Sequence, residues 1–146
     1  MSETNLSKLQ KIIYIDDQMD ILLVAEYALT EIGGFDVLIC DSGAKALGEI
    51  EQYKPDLIVL DVMMPELDGP DTLFKIRDID LFKSTPVIFI TAKAFPNEIA
   101  ELKLCDRGVI DVIPKPFDPI TISQTIQSIW DYSFSKNNKN SKSNSL

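Results

Sequence analysis

Five short apolar runs separated by longer amphipathic stretches predict an α/β fold built on a five-stranded parallel sheet. Strands that alternate with helices along the whole chain imply βαβ units. The third run, Leu57–Leu60, is continuously apolar, as a strand covered on both faces must be. The chain has 146 residues, 45% of them hydrophobic, enough for one domain with a real core.

The elements follow in order. Ile12–Ile15 is the first strand and ends at Asp16-Asp17. From Met19 to Ile32, Ile21, Val24, Ala25, Ala28 and Ile32 recur at helical spacing, and Gly33-Gly34 stops the helix. Phe35–Ile39 is the second strand, and Ala44–Gln52 a short helix with Ser42 as its cap. After Leu57–Leu60 comes a helix, Pro70–Arg77, with Pro70 suited to the first turn. Pro86–Ile90 is the fourth strand, Pro96–Leu104 a helix and Val109–Ile113 the fifth strand. The last helix is Pro119–Trp130, with Ile122, Ile126 and Ile129 on its apolar face. Five strands and five helices fit a doubly wound sheet of flavodoxin-like order 2-1-3-4-5. Pro114 agrees with that order, because proline is tolerated at a sheet edge and the order puts strand five there. Residues 1–10 read as an N-terminal extension and 11–132 as the folded domain. Residues 133–146, SFSKNNKNSKSNSL, read as a disordered polar tail.

Charge and composition narrow the function. The net charge is -9, and setting aside the three lysines of residues 133–146 leaves -12 on residues 1–132. Such a body repels phosphate backbones, which disfavours direct nucleic-acid binding. An acidic pocket that takes a metal, or a basic partner surface, fits better. There is no histidine, so histidine catalysis and histidine metal sites are excluded. Cys40 and Cys105 show no paired spacing and read as inert thiols of a reducing compartment. The N-terminus lacks an apolar signal segment, and no run approaches the ~20 residues of a membrane span. A cytoplasmic protein is expected.

In doubly wound sheets the functional crevice lies outside the carboxyl ends of the strands. Those ends are Asp16-Asp17, Asp61, Thr91 and Lys115, with Cys40-Asp41 off to one side. Strands one and three thereby bring three carboxylates into one small volume, where they repel unless a cation neutralises them. Mg²⁺, a hard ion that takes oxygen ligands, suits the set. A carboxylate there can also attack phosphorus as a nucleophile. A transferred phosphoryl group needs its oxygens neutralised, and Mg²⁺, the Lys115 ammonium and the Thr91 hydroxyl can do so. A single aspartate at a strand end is more often a cap or turn residue, and Asp68 before Gly69 is read that way. The three acids together with Lys115 reverse those odds.

From Lys11 to Trp130 the chain resembles the receiver domain of bacterial two-component response regulators. The matching pieces are Asp16-Asp17, Asp61 with the following MMPELDG, Ile90-Thr91-Ala92, and Lys115-Pro116-Phe117. The resemblance implies that Asp61 is the phospho-acceptor, that Asp17 and Asp61 bind Mg²⁺, and that the Met63 carbonyl is a further ligand, with Asp16 assisting. It implies that Lys115 pairs with the phosphoryl group through a cis Lys115–Pro116 bond and that Thr91 moves toward the phosphate. It also implies that Pro65 and Gly69 shape the loop, Gly69 by tolerating a positive φ. The residues two after Asp61 and two after Thr91, Met63 and Lys93 here, flank the path of hydrolytic water in such domains. One departure stands out. The aromatic usual three residues before the lysine is Val112, preceded by Asp111, so signalling is expected to travel through the backbone of Ala92–Pro96.

The function expected is a stand-alone response regulator. It would accept a phosphoryl group from a sensor histidine kinase or a histidine phosphotransfer protein, and signal by protein contact or phosphorelay to an output partner. It would turn over no external substrate as an ordinary enzyme does. The alternative is a phosphorylation-independent pseudo-receiver that acts purely by interaction. A hydrolase of the haloacid-dehalogenase type would want a second aspartate where Met63 stands. A flavodoxin-like nucleotide binder would want a small-residue phosphate loop where Asp16-Asp17-Gln18 stands.

Overall fold

The computed structural model describes residues 8–93 and 95–144. Its elements are β1 (Lys11–Ile15), α1 (Met19–Tyr27) running into a π-helical turn (Ala28–Ile32), β2 (Asp36–Cys40), α2 (Gly43–Tyr53), β3 (Leu57–Asp61), α3 (Gly69–Arg77), a 3-10 turn (Asp80–Phe82), β4 (Val87–Thr91), α4 (Pro96–Leu104), β5 (Val109–Pro114) and α5 (Ile122–Asn144). All strand pairs are parallel, in the order β2-β1-β3-β4-β5. The flavodoxin-like architecture expected from the sequence is the one observed.

The period-2 alternation of strand side chains sorts the core into two layers. Ile12, Tyr14, Val59, Ile88 and Ile90 pack under α1 and α5 with Leu22, Ile122 and Ile126. Ile13, Ile15, Ile58, Leu60 and Phe89 pack on the other face with Ile50, Leu73 and Ile76. β3 and β4 are buried along their whole length, which is why their sequences carry no polar alternation. Ser42 caps α2 as expected, accepting from the Lys45 N–H at 3.0 Å. The π turn shares one carbonyl between two donors: Ala28 accepts from the Gly33 N–H at 3.1 Å and from the Ser123 hydroxyl at 3.1 Å, which ties α1 to α5.

The chain ends differ from the sequence reading. Leu9 is buried in the core, and the Gln10 and Lys11 N–H groups both donate to Asp56, at 3.1 and 2.9 Å. The fold therefore starts before residue 11, while residues 1–7 lie outside the described residues. At the other end, the segment expected to be disordered from residue 133 instead continues α5 to Asn144. Phe134 packs against the core and its ring lies 4.8 Å from that of Trp130. Once such contacts hold the helix, each added residue gains a hydrogen bond without a new nucleation cost. Among the described residues no helix is long and apolar enough to cross a membrane.

Candidate functional site

β1 and β3 are neighbours with Ile15 opposite Leu60, so the next residues of the two strands, Asp16 and Asp61, emerge side by side at the carboxyl edge. Asp16, Asp17 and Asp61 each offer a carboxylate oxygen within 4.8 Å of the others. Asp16 and Asp61 are buried, whereas Asp17 is exposed. Lys115 reaches the same cluster from the end of β5. Its ammonium lies 2.8 Å from Asp16 Oδ2 and 3.2 Å from Asp61 Oδ1, and donates to Gln18 Oε1 at 3.2 Å. The Lys115–Pro116 bond is cis, as the resemblance implied, and the Lys115 N–H is anchored on the Thr91 carbonyl at 2.8 Å.

The electrostatics follow from this packing. Burial, then the charge of Asp16, push the Asp61 carboxyl up to about 6, against the pull of Lys115 in the other direction. Burial works against the Lys115 charge, but its hydrogen bond to Asp16 and the charge of Asp61 outweigh this and raise its pKa. Asp16 Oδ1 accepts from the Gln18 N–H at 2.9 Å. Its Oδ2 is buried and faces the Lys115 ammonium at 2.8 Å. Three crowded carboxylates, each with an oxygen within 4.8 Å of the others, make a donor set that fits a hard divalent cation such as Mg²⁺.

Gly69 is needed here for a reason other than the one expected. Its φ is not positive; Lys54, Glu66 and Gly34 hold the positive values among the described residues. A Cβ on Gly69 would lie 2.5 Å from the Asp61 carbonyl oxygen and 2.9 Å from Val62 Cα. The first turn of α3 thus rests directly on the backbone of the acid. Asp68 caps that helix by accepting from the Asp71 N–H at 2.9 Å.

Thr91 lies at the end of β4, buried, with its hydroxyl turned to Lys93. The Met63 side chain is exposed. Val112 is buried in the core layer under α4, and Asp111 pairs with Lys103 at 3.5 Å. Two site residues escaped sequence reasoning. Gln18 was legible only as the residue after the acid pair. Tyr14, two residues before Asp16 on the same face of β1, is fully buried with an unpartnered hydroxyl; in the sequence it reads as a strand aromatic.

Comparisons with known proteins agree with this geometry. A family model described as "response regulator receiver domain" matches residues 12–127. The chain is 36% identical over 120 residues to the alkaline phosphatase synthesis transcriptional regulatory protein PhoP of Bacillus subtilis, covering 82% of this chain and 48% of that protein. It is 38% identical over 107 residues to a protein-glutamate methylesterase/protein-glutamine glutaminase of Trichodesmium erythraeum, covering 73% of this chain and 30% of that protein. The chain spans about half the length, or less, of these curated relatives. Among solved structures, the chemotaxis protein CheY4 of Vibrio cholerae superposes with a TM-score of 0.75 at 27% identity, over 84% of this chain and 99% of that one. A response regulator of Desulfuromonas acetoxidans gives 0.73 at 29% identity, over 84% and 98%.

Proposed function

The chain belongs to the response regulator receiver domain family, and on that premise we propose that Asp61 accepts a phosphoryl group from the phosphohistidine of a sensor kinase or phosphotransfer protein. The observation that carries this reading is the position of the Lys115 ammonium, within 3.2 Å of Asp61 and 2.8 Å of Asp16 at the mouth of the acid cluster.

Asp16, Asp17 and Asp61 would hold the Mg²⁺ ion, with the Met63 carbonyl as the further ligand implied by the resemblance. When bound, the ion neutralises the carboxylates and part of the charge on the incoming phosphoryl group. The remaining work falls to the chain. An Asp61 oxygen forms a bond to phosphorus as the P–N bond breaks. The electron pair stays on the imidazole nitrogen of the donor, which takes up a proton. With its carboxyl pushed up to about 6, Asp61 is mostly ionised at neutral pH and ready to attack. Lys115 follows the charge from the carboxylates to a phosphoryl oxygen, and the Thr91 hydroxyl donates to another. The chain is its own phosphorylation substrate and turns over no other. Its output is contact with a partner protein, or onward transfer of the phosphoryl group, in the cytoplasm.

The test is intact-mass analysis after incubation with a small phosphodonor and Mg²⁺. The native chain should gain one phosphoryl group and Asp61→Asn none. A native chain that gains nothing while folded and Mg²⁺-bound would favour an interaction module that works without phosphorylation.

A further inference from the structure

Beside Thr91 lies a groove of about 360 Å³ between the start of α3 and α4, lined by Val62, Met63, Lys93, Glu98 and Glu101 among others. It holds opposite charges that do not meet. Lys93 makes no ion pair among the described residues, and Glu98 Oε1 is buried without a hydrogen-bond partner. A buried acceptor left unsatisfied is unfavourable, and a cation lines the same groove.

The Lys93 backbone is tied to Thr91. Its N–H donates to the Thr91 hydroxyl at 3.0 Å, and that hydroxyl donates to the Lys93 carbonyl at 3.2 Å. A threonine has one hydroxyl proton. If a phosphoryl oxygen takes it, the Lys93 carbonyl loses its donor and the turn is released. The start of α4 is free to follow, since Phe95 provides no side-chain cap and the helix has no fully buried residue.

We propose that phosphorylation of Asp61 draws the Thr91 hydroxyl away from Lys93 and lets the Lys93 ammonium pair with Glu98 across the groove. This ion pair fastens Lys93 to the first turn of α4 in the phosphorylated state, in a chain where Val112 offers no ring to move. The inference rests on the phosphoacceptor reading above.

Beryllofluoride with Mg²⁺ serves as the phosphoryl mimic, and its affinity is read in a double-mutant cycle. Lys93→Gln and Glu98→Gln should each weaken the mimic by about threefold to tenfold, and the double variant no more than either alone. The exchange Lys93→Glu with Glu98→Lys should recover most of the loss. Without the mimic, the effects of the two substitutions on thermal unfolding should simply add, since the pair is absent from that state. Additive losses, no loss, or coupling of Lys93 to Glu101 instead of Glu98 would overturn the pair while leaving the phosphoacceptor reading intact. A native chain that shows no response to beryllofluoride would overturn that reading and the ion pair with it.

Discussion

Lys115 Nζ sits 3.2 Å from Asp61 Oδ1, with the lysine side chain 9% and the aspartate side chain 4% exposed. Two charges this far from solvent depend on each other, because removing one partner leaves the other buried and uncompensated. Lys115→Ala should therefore destabilise the metal-free chain by about 1–3 kcal/mol. Mg²⁺ should restore much of the loss, since it takes over neutralisation of the same carboxylates. Phosphorylation should survive in the variant but lose its coupling to the conformational change. Thermal unfolding with and without Mg²⁺ checks the first part, and an equal metal response in native chain and Asp17→Asn would count against the site.

The raised Asp61 pKa gives a signed pH dependence. The folded state binds this proton more tightly than the unfolded chain, at about 6 against an ordinary 3.8. Its contribution to stability is full below about pH 4 and is lost as pH rises through about 6. Asp61→Asn should thus be more stable than the metal-free native chain at pH 7, by about 1–3 kcal/mol, and equal to it near pH 4. Asp106 works in the opposite sense. Burial raises its pKa, but the hydrogen bonds from Arg77 and the Gly108 N–H win and lower it. That contribution is present above the unfolded value near 4 and is lost as pH falls below it. Urea midpoints from about pH 2 to 7 for the native chain, Asp61→Asn and Asp106→Asn separate the two. A difference between native and Asp61→Asn that stays flat with pH would refute the first.

Most of the fold was legible because apolar periodicity reports burial, and βαβ alternation then fixes the topology. The acid cluster was legible for the same reason: once strands one and three are neighbours, the residues that end them must meet. Composition alone scores SFSKNNKNSKSNSL as polar and does not reveal that α5 runs on to Asn144, with Phe134 packed on the core. The role of Gly69 was hidden because a close backbone approach leaves no mark in sequence that differs from a positive φ. The hydroxyl of Thr91 turned toward Lys93, and the lone oxygen of Glu98, are properties of one conformational state. A sequence specifies all states together and singles out neither.

Gly69 offers a direct probe of how α3 supports the acid. Alanine there would place a Cβ 2.5 Å from the Asp61 carbonyl oxygen, so backbone must shift. Gly69→Ala should cost about 1–3 kcal/mol as an overpacked site and weaken Mg²⁺ binding by moving Asp61. Gly48→Ala is the control, since Gly48 lies inside α2 with open space around its Cβ position. It should stabilise by about 0.5–1 kcal/mol and leave Mg²⁺ affinity unchanged. Equal effects of the two variants on metal affinity would break the proposed link.

The lifetime of the acyl phosphate is the last expectation. Hydrolysis requires water in line with the P–O bond to Asp61, and Met63 and Lys93 occupy the positions that flank this path in receiver domains. The Met63 side chain is exposed and carries no acceptor able to orient water. Lys93 is also exposed, and an ammonium donates but does not accept. With neither residue able to take a proton from the attacking water or hold it in line, decay should be slow. Met63→Asn supplies an amide that can do so, and should speed decay by about tenfold, the equivalent of ~1.4 kcal/mol in the barrier. Following the phosphorylated mass over time in both chains decides it. Native decay as fast as that of Met63→Asn would mean that water is oriented by some other group, and that these two positions do not set the lifetime.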